Sequence, residues 1–414
     1  MLISPSSGVQ LHITSLPSRR LGREAYAFVD WLSLAGQSYW QVLPLGPPDR
    51  FRSPYRARSA FACSPSLLGR PHAPVSAGER ADFIAAHQFW LPEWAGCNGG
   101  REAIDDQIRF QREWLALRAY AKERGVHIIG DLPLYVSPGS VDHRMHPHLF
   151  ADGLLGGAPP DRFSRKGQLW GNPVYNWPAM RRERYSWWVE RIRRSLELFD
   201  LIRLDHFRGF VAYWAVPEGS RDARGGRWRR GPQGAPIQAA RRALGELPLI
   251  AEDLGRITPA VQSLRSRLDI RGMAVLQFLF AGGQDAVDGR AGAHPLHRQT
   301  QDRILYTSTH DQTTLLAWWT SLQAPQRSRA QAALRRARID PAEGVWALIR
   351  LALTSPAPLV IMQAQDVLCL PEAARMNTPG RASGNWAWRL EVGSPTQALA
   401  GRLRDLTRQA GRLR

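Results

Sequence analysis

The chain has 414 residues, with 55 Lys or Arg and 36 Asp or Glu, and so a formal net charge of +19 at pH 7. This length can bury a large core, in one elaborated domain or in two. The sequence has no basic leader followed by an apolar stretch and no apolar run of about 18 residues, so we expect a soluble, cytoplasmic protein without a membrane partner. The cysteines lie far apart without a CxxC pair, which argues against a disulfide framework and a thiolate zinc site: Cys63, Cys97 and Cys369.

The basic residues are nearly all arginines, and they are scattered along the chain instead of gathered in one patch. Scattered charge is typical of a solvated surface, so we expect no nucleic-acid partner, although a basic nucleic-acid binder stays open as a minor alternative. The densest basic run, RDARGGRWRRGPQG at 221–234, is rich in glycine and is predicted to be a loop.

Eight short runs rich in β-branched and other apolar residues recur along the chain, separated by segments with helical periodicity. This alternation is typical of βα units with a parallel sheet, and eight units predict an α/β fold, the closed (β/α)8 barrel. We expect a single catalytic barrel domain over residues 1–414, with excursions beside the active-site rim within 56–126 and 137–200. The predicted strands are 9–16, 39–47, 127–136, 201–210, 248–255, 273–280, 303–311 and 359–368.

Two helical segments have a clear apolar face with spacings of three and four residues. The segment before the fourth strand is predicted to pack into the core through Tyr185, Trp188, Val189, Ile192, Leu196 and Phe199. A second helix precedes the third strand and is predicted to end near Gly125, with an apolar face formed by Ile104, Ile108, Leu115 and Ala119.

Four of the predicted strands end in carboxylates. Because the carboxyl ends of barrel strands form one rim, where polar residues serve in catalysis, these four positions together predict an active site. A single one of them could be a helix N-cap, and a capping or other structural role is favoured for Asp253, whose side chain should point away from that of Glu252. The residues are Asp131, Asp205, the pair Glu252 and Asp253, and Asp311.

Strand alternation places Arg203 and Asp205 on one face of the fourth strand. The guanidinium favours the ionised carboxylate, which suits a nucleophile, but a buried ion pair of purely structural use is an equally good interpretation. With Glu252 as general acid and base, the two carboxyl groups would form the pair that a retaining glycosidase needs. Asp311 could then hold sugar hydroxyls and support positive charge in the transition state.

Histidines allow a different hydrolase site. His12, His206 and His310 lie near strand ends and could hold a catalytic metal together with the carboxylates. This alternative is disfavoured because the first strand has no HxH pattern and no lysine lies on a central strand. A further cluster in a loop interrupted by proline is predicted to consist of surface or packing residues: His143, His146 and His148.

A series of longer motifs occurs in a fixed order over nearly the whole chain. They are LHITSLPS (11–18), YWQVLPLGP (39–47), SPY (53–55), IIGDLPLYV (128–136), PPDRFS (159–164), GQLWGNPVYNW (167–177), RLDHFRGF (203–210), AEDLG (251–255), STHDQTT (308–314) and ARMNTPGRASGNWAWR (374–389). In these motifs the chain resembles the 4-α-glucanotransferases of glycoside hydrolase family 77, which are also called amylomaltases or disproportionating enzymes.

The resemblance implies Asp205 as nucleophile, Glu252 as general acid and base, and Asp311 as transition-state stabiliser. The implied reaction is a retaining double displacement that transfers segments of α-1,4-glucans between maltooligosaccharides, with no metal and no organic cofactor. The implied substrate-binding residues are Arg203, His206 and His310 in the donor subsite, and Asn385, Tyr55, Gln168, Trp170 and Asn172 around it.

The chain departs from the family pattern in several places. Between SPY and GDLP it is much shorter than most relatives, so we expect that a helical subdomain is largely missing. Arg162 stands where the family commonly has an aromatic residue, Ser64 replaces the usual Asn before Pro65, and THDQTT differs after its Asp. Because the three carboxylates are intact, we expect an active enzyme with an altered acceptor preference.

Two related functions stay open. A hydrolase of α-glucans with the same site would use water as the acceptor, and a degenerate protein would bind glucan without catalysis. The products formed from maltotriose would separate these alternatives from transfer.

Overall fold

The structure is a computed structural model that describes residues 4–161, 164–255, 257–280, 294–381 and 383–413. Arg162, one of the departures from the family pattern, lies outside these ranges. No helix in the described part of the chain combines the length and the apolar character needed to cross a membrane.

The described residues form twelve β-strands. In chain order they are β1 Ser6–Gln10, β2 Tyr39–Gln41, β3 His127–Leu132, β4 Phe150–Ala158, β5 Gln168–Tyr175, β6 Leu201–Leu204, β7 Ala212–Pro217, β8 Arg227–Arg230, β9 Leu249–Ala251, β10 Gly272–Val275, β11 Arg303–Tyr306 and β12 Leu359–Gln363.

The α-helices within the same ranges vary from single turns to one helix of 23 residues. They are α1 Arg23–Leu34, α2 Ala77–Ala86, α3 Leu91–Cys97, α4 Arg101–Glu123, α5 Val141–Met145, α6 Trp177–Arg182, α7 Ser186–Leu198, α8 Ala235–Leu244, α9 Pro259–Arg267, α10 Leu276–Leu279, α11 His297–Thr300, α12 Leu315–Ser321, α13 Ala324–Arg336, α14 Val345–Leu353, α15 Ala364–Val367 and α16 Gln397–Gln409.

Eight strands form one sheet in the order β10-β11-β12-β1-β2-β3-β6-β9. The order is a cyclic permutation of the chain order, and the first strand pairs in parallel with the last, Ser6 facing Leu359. A sheet whose first and last strands are neighbours is the arrangement of a (β/α)8 barrel, so the predicted fold class is confirmed. At β1, a side chain on Gly8 would place its Cβ 2.4 Å from the carbonyl oxygen of Tyr39, so this pairing requires glycine.

Each of the eight predicted runs overlaps one strand of this sheet, but all eight strands end well before the apolar run does. The run 201–210 is a strand only to Leu204 and then continues as a 3-10 helix, Phe207–Phe210. Phe207 and Phe210 are fully buried, so the segments after the strands stay apolar because they too lie in the core. Hydrophobicity therefore located the strands but not their carboxyl ends.

A second sheet is antiparallel, with the strand order β5-β4-β7-β8. It was not predicted, because its strands are short or rich in glycine and arginine. The basic run at 221–234, predicted to be a loop, contains the strand Arg227–Arg230, so that prediction was wrong in part. All four residues of this strand are exposed because β8 is an edge strand, and the burial pattern that identifies a strand from sequence is absent there.

The chain divides into two compact units. Unit 1 comprises 1–43, 117–129 and 271–414, and unit 2 comprises 44–116 and 130–270. Unit 1 contains β1, β2 and β10 to β12 with α1 and α10 to α16, and its core includes the fully buried Trp40 and Tyr306. Unit 2 contains β4 to β9 with α2, α3 and α5 to α9, and its core includes Trp114 and Trp188.

Helix α7 buries the apolar face that the sequence predicts, with Trp188 and Ile192 fully buried. It also buries two arginines. The Arg191 guanidinium donates to the Leu134 carbonyl (2.9 Å) and lies over the indole rings of Trp187 and Trp188. Aromatic faces and a carbonyl therefore take the place of solvent around this cation.

Helix α4 ends near Gly125 as predicted, but its predicted apolar face was wrong except at Ile108, which is buried. Leu115 and Ala119 are exposed, and Ile104 is only half-buried. The face that is buried runs one position away, through Ala103, Gln107, Phe110, Trp114, Leu117 and Ala121. Polar residues on this face mislead a periodicity count, since Gln107 is fully buried and donates to the carbonyl of Cys63 (2.9 Å).

Candidate active site

The candidate site in unit 2 lies at the carboxyl end of strand β6. Leu204 is buried, and the chain then continues into Asp205 and His206, both half-buried. The amide of Asp205 donates to the carbonyl of Leu132 (3.0 Å), and the amide of Glu252 donates to that of Leu204 (2.9 Å). These bonds hold the carboxyl ends of β3, β6 and β9 side by side, so the side chains of Asp131, Asp205 and Glu252 lie near one another.

Arg203 is the centre of the charges in unit 2. Its Nη1 donates to both carboxylate oxygens of Asp131, each at 2.8 Å, and to Oδ1 of Asp205 at 3.0 Å. Burial alone would lower the pKa of Arg203, but the carboxylates of Asp131 and Asp205 raise that pKa well above its ordinary value. The guanidinium is therefore a permanent cation beside Asp205.

The two contacts of Arg203 have different surroundings. The side chain of Asp131 is fully buried, whereas that of Asp205 keeps 27% of its surface exposed. The hydroxyl of Tyr55 donates to Oδ2 of Asp131 at 2.5 Å and so also supports the buried carboxylate. The sequence left open whether Arg203 forms a structural pair or supports a reactive carboxylate, and the structure pairs it with one fully buried carboxylate and one partly exposed carboxylate.

Replacing Asp131 by Asn is expected to lower the free energy of unfolding by about 3 kcal/mol, because it removes one partner of a buried ion pair and leaves the other buried. Urea denaturation of both proteins measures this change. Asp49→Asn is the matched control, since Asp49 pairs with the partly exposed Arg56 and should cost less than about 1 kcal/mol. Equal losses in the two variants would contradict the prediction.

Glu252 lies directly beside the residue that follows Asp205. Its Oε2 accepts the backbone N–H of His206 (2.8 Å) and its Oε1 accepts that of Leu254 (2.9 Å). Burial raises the pKa of Glu252 to about 7, with Asp205 adding to the rise and Arg203 and the two amides opposing it. A carboxyl group with this pKa can donate a proton and take one back near neutral pH.

His206 adopts the left-handed backbone conformation, with φ of 50°, which turns its amide toward Glu252. Its ring meets Trp170 edge to face, with centroids 4.9 Å apart. Burial lowers the pKa of His206 to about 4, so the ring is neutral at neutral pH. Within the described ranges its buried Nε2 has no hydrogen-bond partner, and a neutral imidazole nitrogen without a partner suits a ligand hydroxyl.

Strand β5 brings Gln168, Trp170 and Asn172 into unit 2, all of them half-buried. The indole N–H of Trp170 donates to Oε1 of Gln168 (3.1 Å), so these two side chains form one polar and aromatic surface next to His206. The amide of Asn172 instead donates to the carbonyl of Val136 (2.8 Å), where it joins β5 to the segment after β3.

Asp311 and His310 follow strand β11 in unit 1. The carboxylate of Asp311 accepts a hydrogen bond from Nδ2 of Asn377 (2.6 Å). The backbone carbonyl of Asp311 accepts one from the guanidinium of Arg375 (2.6 Å). His310 is buried, with its Nε2 3.5 Å from Oδ1 of Asp311, whose side chain is 39% exposed. The structure thus holds Asp311 by its side chain and by its backbone while leaving the carboxylate accessible.

Two further candidates, Asn385 and His12, lie in unit 1. The side chain of Asn385 bonds to the backbone of the loop that precedes it. Its Oδ1 accepts the amide of Thr378 (2.9 Å), and its Nδ2 donates to the carbonyl of Arg381 (2.9 Å). His12 is buried, and burial together with His310 lowers its pKa to about 3, so it is neutral.

Several residues noted in the sequence have structural partners. Asp253 is buried with its Oδ2 3.4 Å from Nε of Arg265, which agrees with the structural role favoured for it. Ser64 is buried and its hydroxyl is 2.8 Å from that of Ser66. His146 and His148 bond to the carboxylates of two surface residues, Glu93 and Glu183. Over the described part of the chain, no three His, Cys, Asp or Glu side chains are grouped so that they could hold a metal ion.

Sequence reasoning missed three residues that contact the candidate side chains. Asn377 and Arg375 hold Asp311, and the ring of Tyr135 lies 6.3 Å from that of His206. A signal was present, since Tyr135 lies in the motif IIGDLPLYV and the other two lie in ARMNTPGRASGNWAWR. The motifs could not assign these residues a contact, because each contact joins segments far apart in the chain.

Comparisons with known sequences agree over nearly the full length. A family model described as 4-alpha-glucanotransferase matches residues 11–87 and 106–394. The 4-alpha-glucanotransferase of Thermus thermophilus is 36% identical, over 98% of this chain and 99% of the relative. The chloroplastic/amyloplastic 4-alpha-glucanotransferase of Arabidopsis thaliana is also 36% identical, over 98% of this chain and 86% of the relative.

The alignment with the Thermus protein has 497 positions and therefore contains gaps opposite this 414-residue chain. The family model leaves out residues 88–105, which lie within the segment that the sequence predicts to be shortened.

Two solved structures are similar over nearly the whole chain. The amylomaltase of Streptococcus agalactiae in complex with acarbose matches with a TM-score of 0.89 at 27% identity, covering 99% of this chain and 100% of that chain. The amylomaltase of Corynebacterium glutamicum, at 18% identity and a TM-score of 0.78, covers 99% of this chain and 75% of that chain. At that identity the second match supports the fold alone.

Proposed function

Because the chain belongs to the 4-α-glucanotransferase family, glycoside hydrolase family 77, we propose that it transfers segments of α-1,4-glucan from one maltooligosaccharide to another. The reaction is a double displacement with retention at the anomeric carbon. The whole of residues 1–414 acts as one catalytic (β/α)8 domain. The single observation that carries the residue assignments is the group formed by Arg203, Asp205 and Glu252.

Asp205 is the nucleophile in this proposal. Its support is the contact with Arg203, a permanent cation whose Nη1 donates to Oδ1 of Asp205 at 3.0 Å. Asp131 occupies the same guanidinium from the buried side, so Arg203 is fixed in place and Asp205 remains accessible. A carboxylate that is ionised, oriented and partly exposed can attack an anomeric carbon.

Glu252 is the general acid and base. In the first step Asp205 bonds to the anomeric carbon of the donor while the bond to the leaving glycosidic oxygen breaks, and Glu252 gives its proton to that oxygen. In the second step the 4-hydroxyl of an acceptor glucan attacks the same carbon, Glu252 takes up the hydroxyl proton, and the bond to Asp205 breaks. The pKa of about 7 supports both roles, since the group must be protonated first and ionised afterwards.

The remaining residues bind the sugar. Asp311 supports positive charge on the ring in the transition state, with His310 beside it. His206 offers its unpartnered Nε2 to a sugar hydroxyl, and Trp170 offers an aromatic surface for stacking. Arg203, Tyr55, Gln168, Asn172 and Asn385 complete the proposed set, and for Asn172 and Asn385 the backbone bonds of their amides support a role in shaping the site.

Incubation with maltotriose tests the proposal. We expect glucose together with a ladder of longer maltooligosaccharides, because an acceptor glucan intercepts the glycosyl-enzyme in place of water. The products can be separated by chromatography as a function of time. Release of glucose and maltose without longer products would favour a hydrolase, and an unchanged substrate would favour a protein that only binds glucan.

A further inference from the structure

The segment that carries His310 and Asp311 is fastened by one buried carboxylate, that of Asp366. This aspartate lies in α15, which directly follows β12 in unit 1. Its Oδ2 accepts the hydroxyls of Thr307 (2.7 Å) and Ser308 (2.5 Å), and its Oδ1 accepts the amide of Leu315 (2.7 Å). The first two donors precede Asp311 and the third follows it, so a single side chain closes the segment from Thr307 to Leu315 at both ends.

Further bonds make this segment rigid. Nε2 of Gln363, at the end of β12, donates to the hydroxyl of Ser308 (2.7 Å) and to the carbonyl of Thr309 (2.6 Å). The amide of Thr309 in turn donates to Oε1 of Gln312 (3.0 Å). The middle of the segment, where Asp311 lies, is thereby left with little freedom.

Burying the carboxylate of Asp366 costs folding free energy. The residue is fully buried, and its hydrogen-bond donors Thr307, Ser308 and Leu315 are all uncharged. Burial raises its pKa to about 6, and the hydrogen bonds from Ser308, Thr307 and Leu315 oppose the rise. A buried carboxylate without a counter-charge destabilises a fold unless it is fully hydrogen-bonded. An apolar residue would fill the same place at lower cost but could not join the two ends of the segment.

We propose that Asp366 is a positioning residue for catalysis and fixes the carboxylate of Asp311 where positive charge develops in the transition state. The inference rests on the proposed role of Asp311. Asp366 does not touch substrate; it acts through the backbone of the segment, while Asn377 orients the Asp311 side chain. Electrostatic stabilisation depends steeply on position, and a displacement of about 1 Å can cost about 10²-fold in rate.

The test measures kcat and KM for transfer from maltotriose in Asp366→Ala and Asp366→Asn. We expect Asp366→Ala to lower kcat by about 10- to 100-fold with KM nearly unchanged. Asp366→Asn keeps the size and one acceptor oxygen, which can still accept from Leu315, so it should recover part of the lost rate. If the Ala variant does not fold, Ser308→Ala removes one hydroxyl donor from the segment and should lower kcat in the same direction by a smaller factor.

A double-mutant cycle with Asp311→Asn separates positioning from general damage. We expect Asp311→Asn alone to lose about 10²- to 10³-fold, and Asp366→Ala to add little to that loss, because it acts through the side chain already removed. Losses that multiply in the double variant would overturn the inference, as would a wild-type kcat in folded Asp366→Ala.

A control variant checks for loss of stability alone, and kcat of the two aspartate variants shows whether the role of Asp311 or that of Asp366 is wrong. Thr407→Val removes a buried hydrogen bond from Gln37 (2.9 Å) in the same unit and should lower the melting temperature without changing kcat. If Asp311→Asn keeps the wild-type kcat, the proposed role of Asp311 is wrong. If Asp311→Asn is slow and Asp366→Ala is not, the positioning role alone is wrong.

Discussion

Replacing Asp205 by Asn is expected to lower the rate of transfer from maltotriose by about 10⁴-fold or more, because the variant lacks the group proposed to form the covalent intermediate. The fold should change little. Arg203 keeps both of its bonds to Asp131, and the lost contact involves a carboxylate that is already partly exposed. Product formation followed by chromatography, together with the melting temperature, measures the two effects separately.

Asp222→Asn is the matched control for this variant. Asp222 lies in the same unit and pairs with Arg224 in a turn before β8, so the same chemical change there should leave the transfer rate unaltered. An Asp205→Asn protein that keeps most of the wild-type rate would refute the assignment of the nucleophile. A loss of rate accompanied by a large drop in melting temperature would point to damage of the fold instead.

Glu252→Gln is expected to lower the transfer rate by about 10²- to 10⁴-fold, since the amide can neither donate nor accept the proton. In the wild-type enzyme kcat/KM should fall as pH rises above about 7, because the pKa of Glu252 is raised to about 7 and only its protonated form can act on the leaving oxygen. The variant should lose this alkaline decline, which a pH profile of kcat/KM measures.

An activated donor gives a second readout for Glu252. The fluoride of α-maltosyl fluoride leaves without a proton, so Glu252→Gln should lose less rate with this donor than with maltotriose, whereas Asp205→Asn should lose equally with both. Glu218→Gln, at an exposed position in the same unit, is the control and should behave as wild type. An alkaline decline that persists in Glu252→Gln would assign that ionisation to another group.

The parallel sheet was predictable because its strands are buried on both faces and leave apolar runs that stand out from their surroundings. The antiparallel sheet was not, since its exposed edge strand Arg227–Arg230 has no apolar pattern. The face of α4 was misassigned for a related reason. Its buried Asp105 is paired with Arg80 and its buried Gln107 is bonded to Cys63, and such long-range partners cannot be read from a local period.

The candidate site divides in the same way. Asp205 and Glu252 could be found because they end apolar strands, where charges are unexpected. Asp131 was noted for the same reason, but its use as the buried partner of Arg203 depends on a contact across 72 positions of the chain. Asp366 gave no such signal, because a carboxylate after an apolar run is also a common helix cap, and only its bonds to Thr307, Ser308 and Leu315 reveal what it holds.

The hydrogen bond from the amide of His206 to Glu252 has a consequence for how such a site can vary over time. This bond joins the residue after the proposed nucleophile to the proposed acid, and its donor belongs to the main chain. Given the proposed role of His206, substitutions that tolerate its left-handed backbone would change which sugar hydroxyl is recognised while the bond from the amide to Glu252 is retained. Only proline, which has no N–H to donate, would remove the bond outright. At position 206 the side chain is thus proposed to recognise the sugar, while the main-chain amide orients the carboxyl group that transfers the proton. Sugar recognition can therefore change in related proteins without loss of proton transfer.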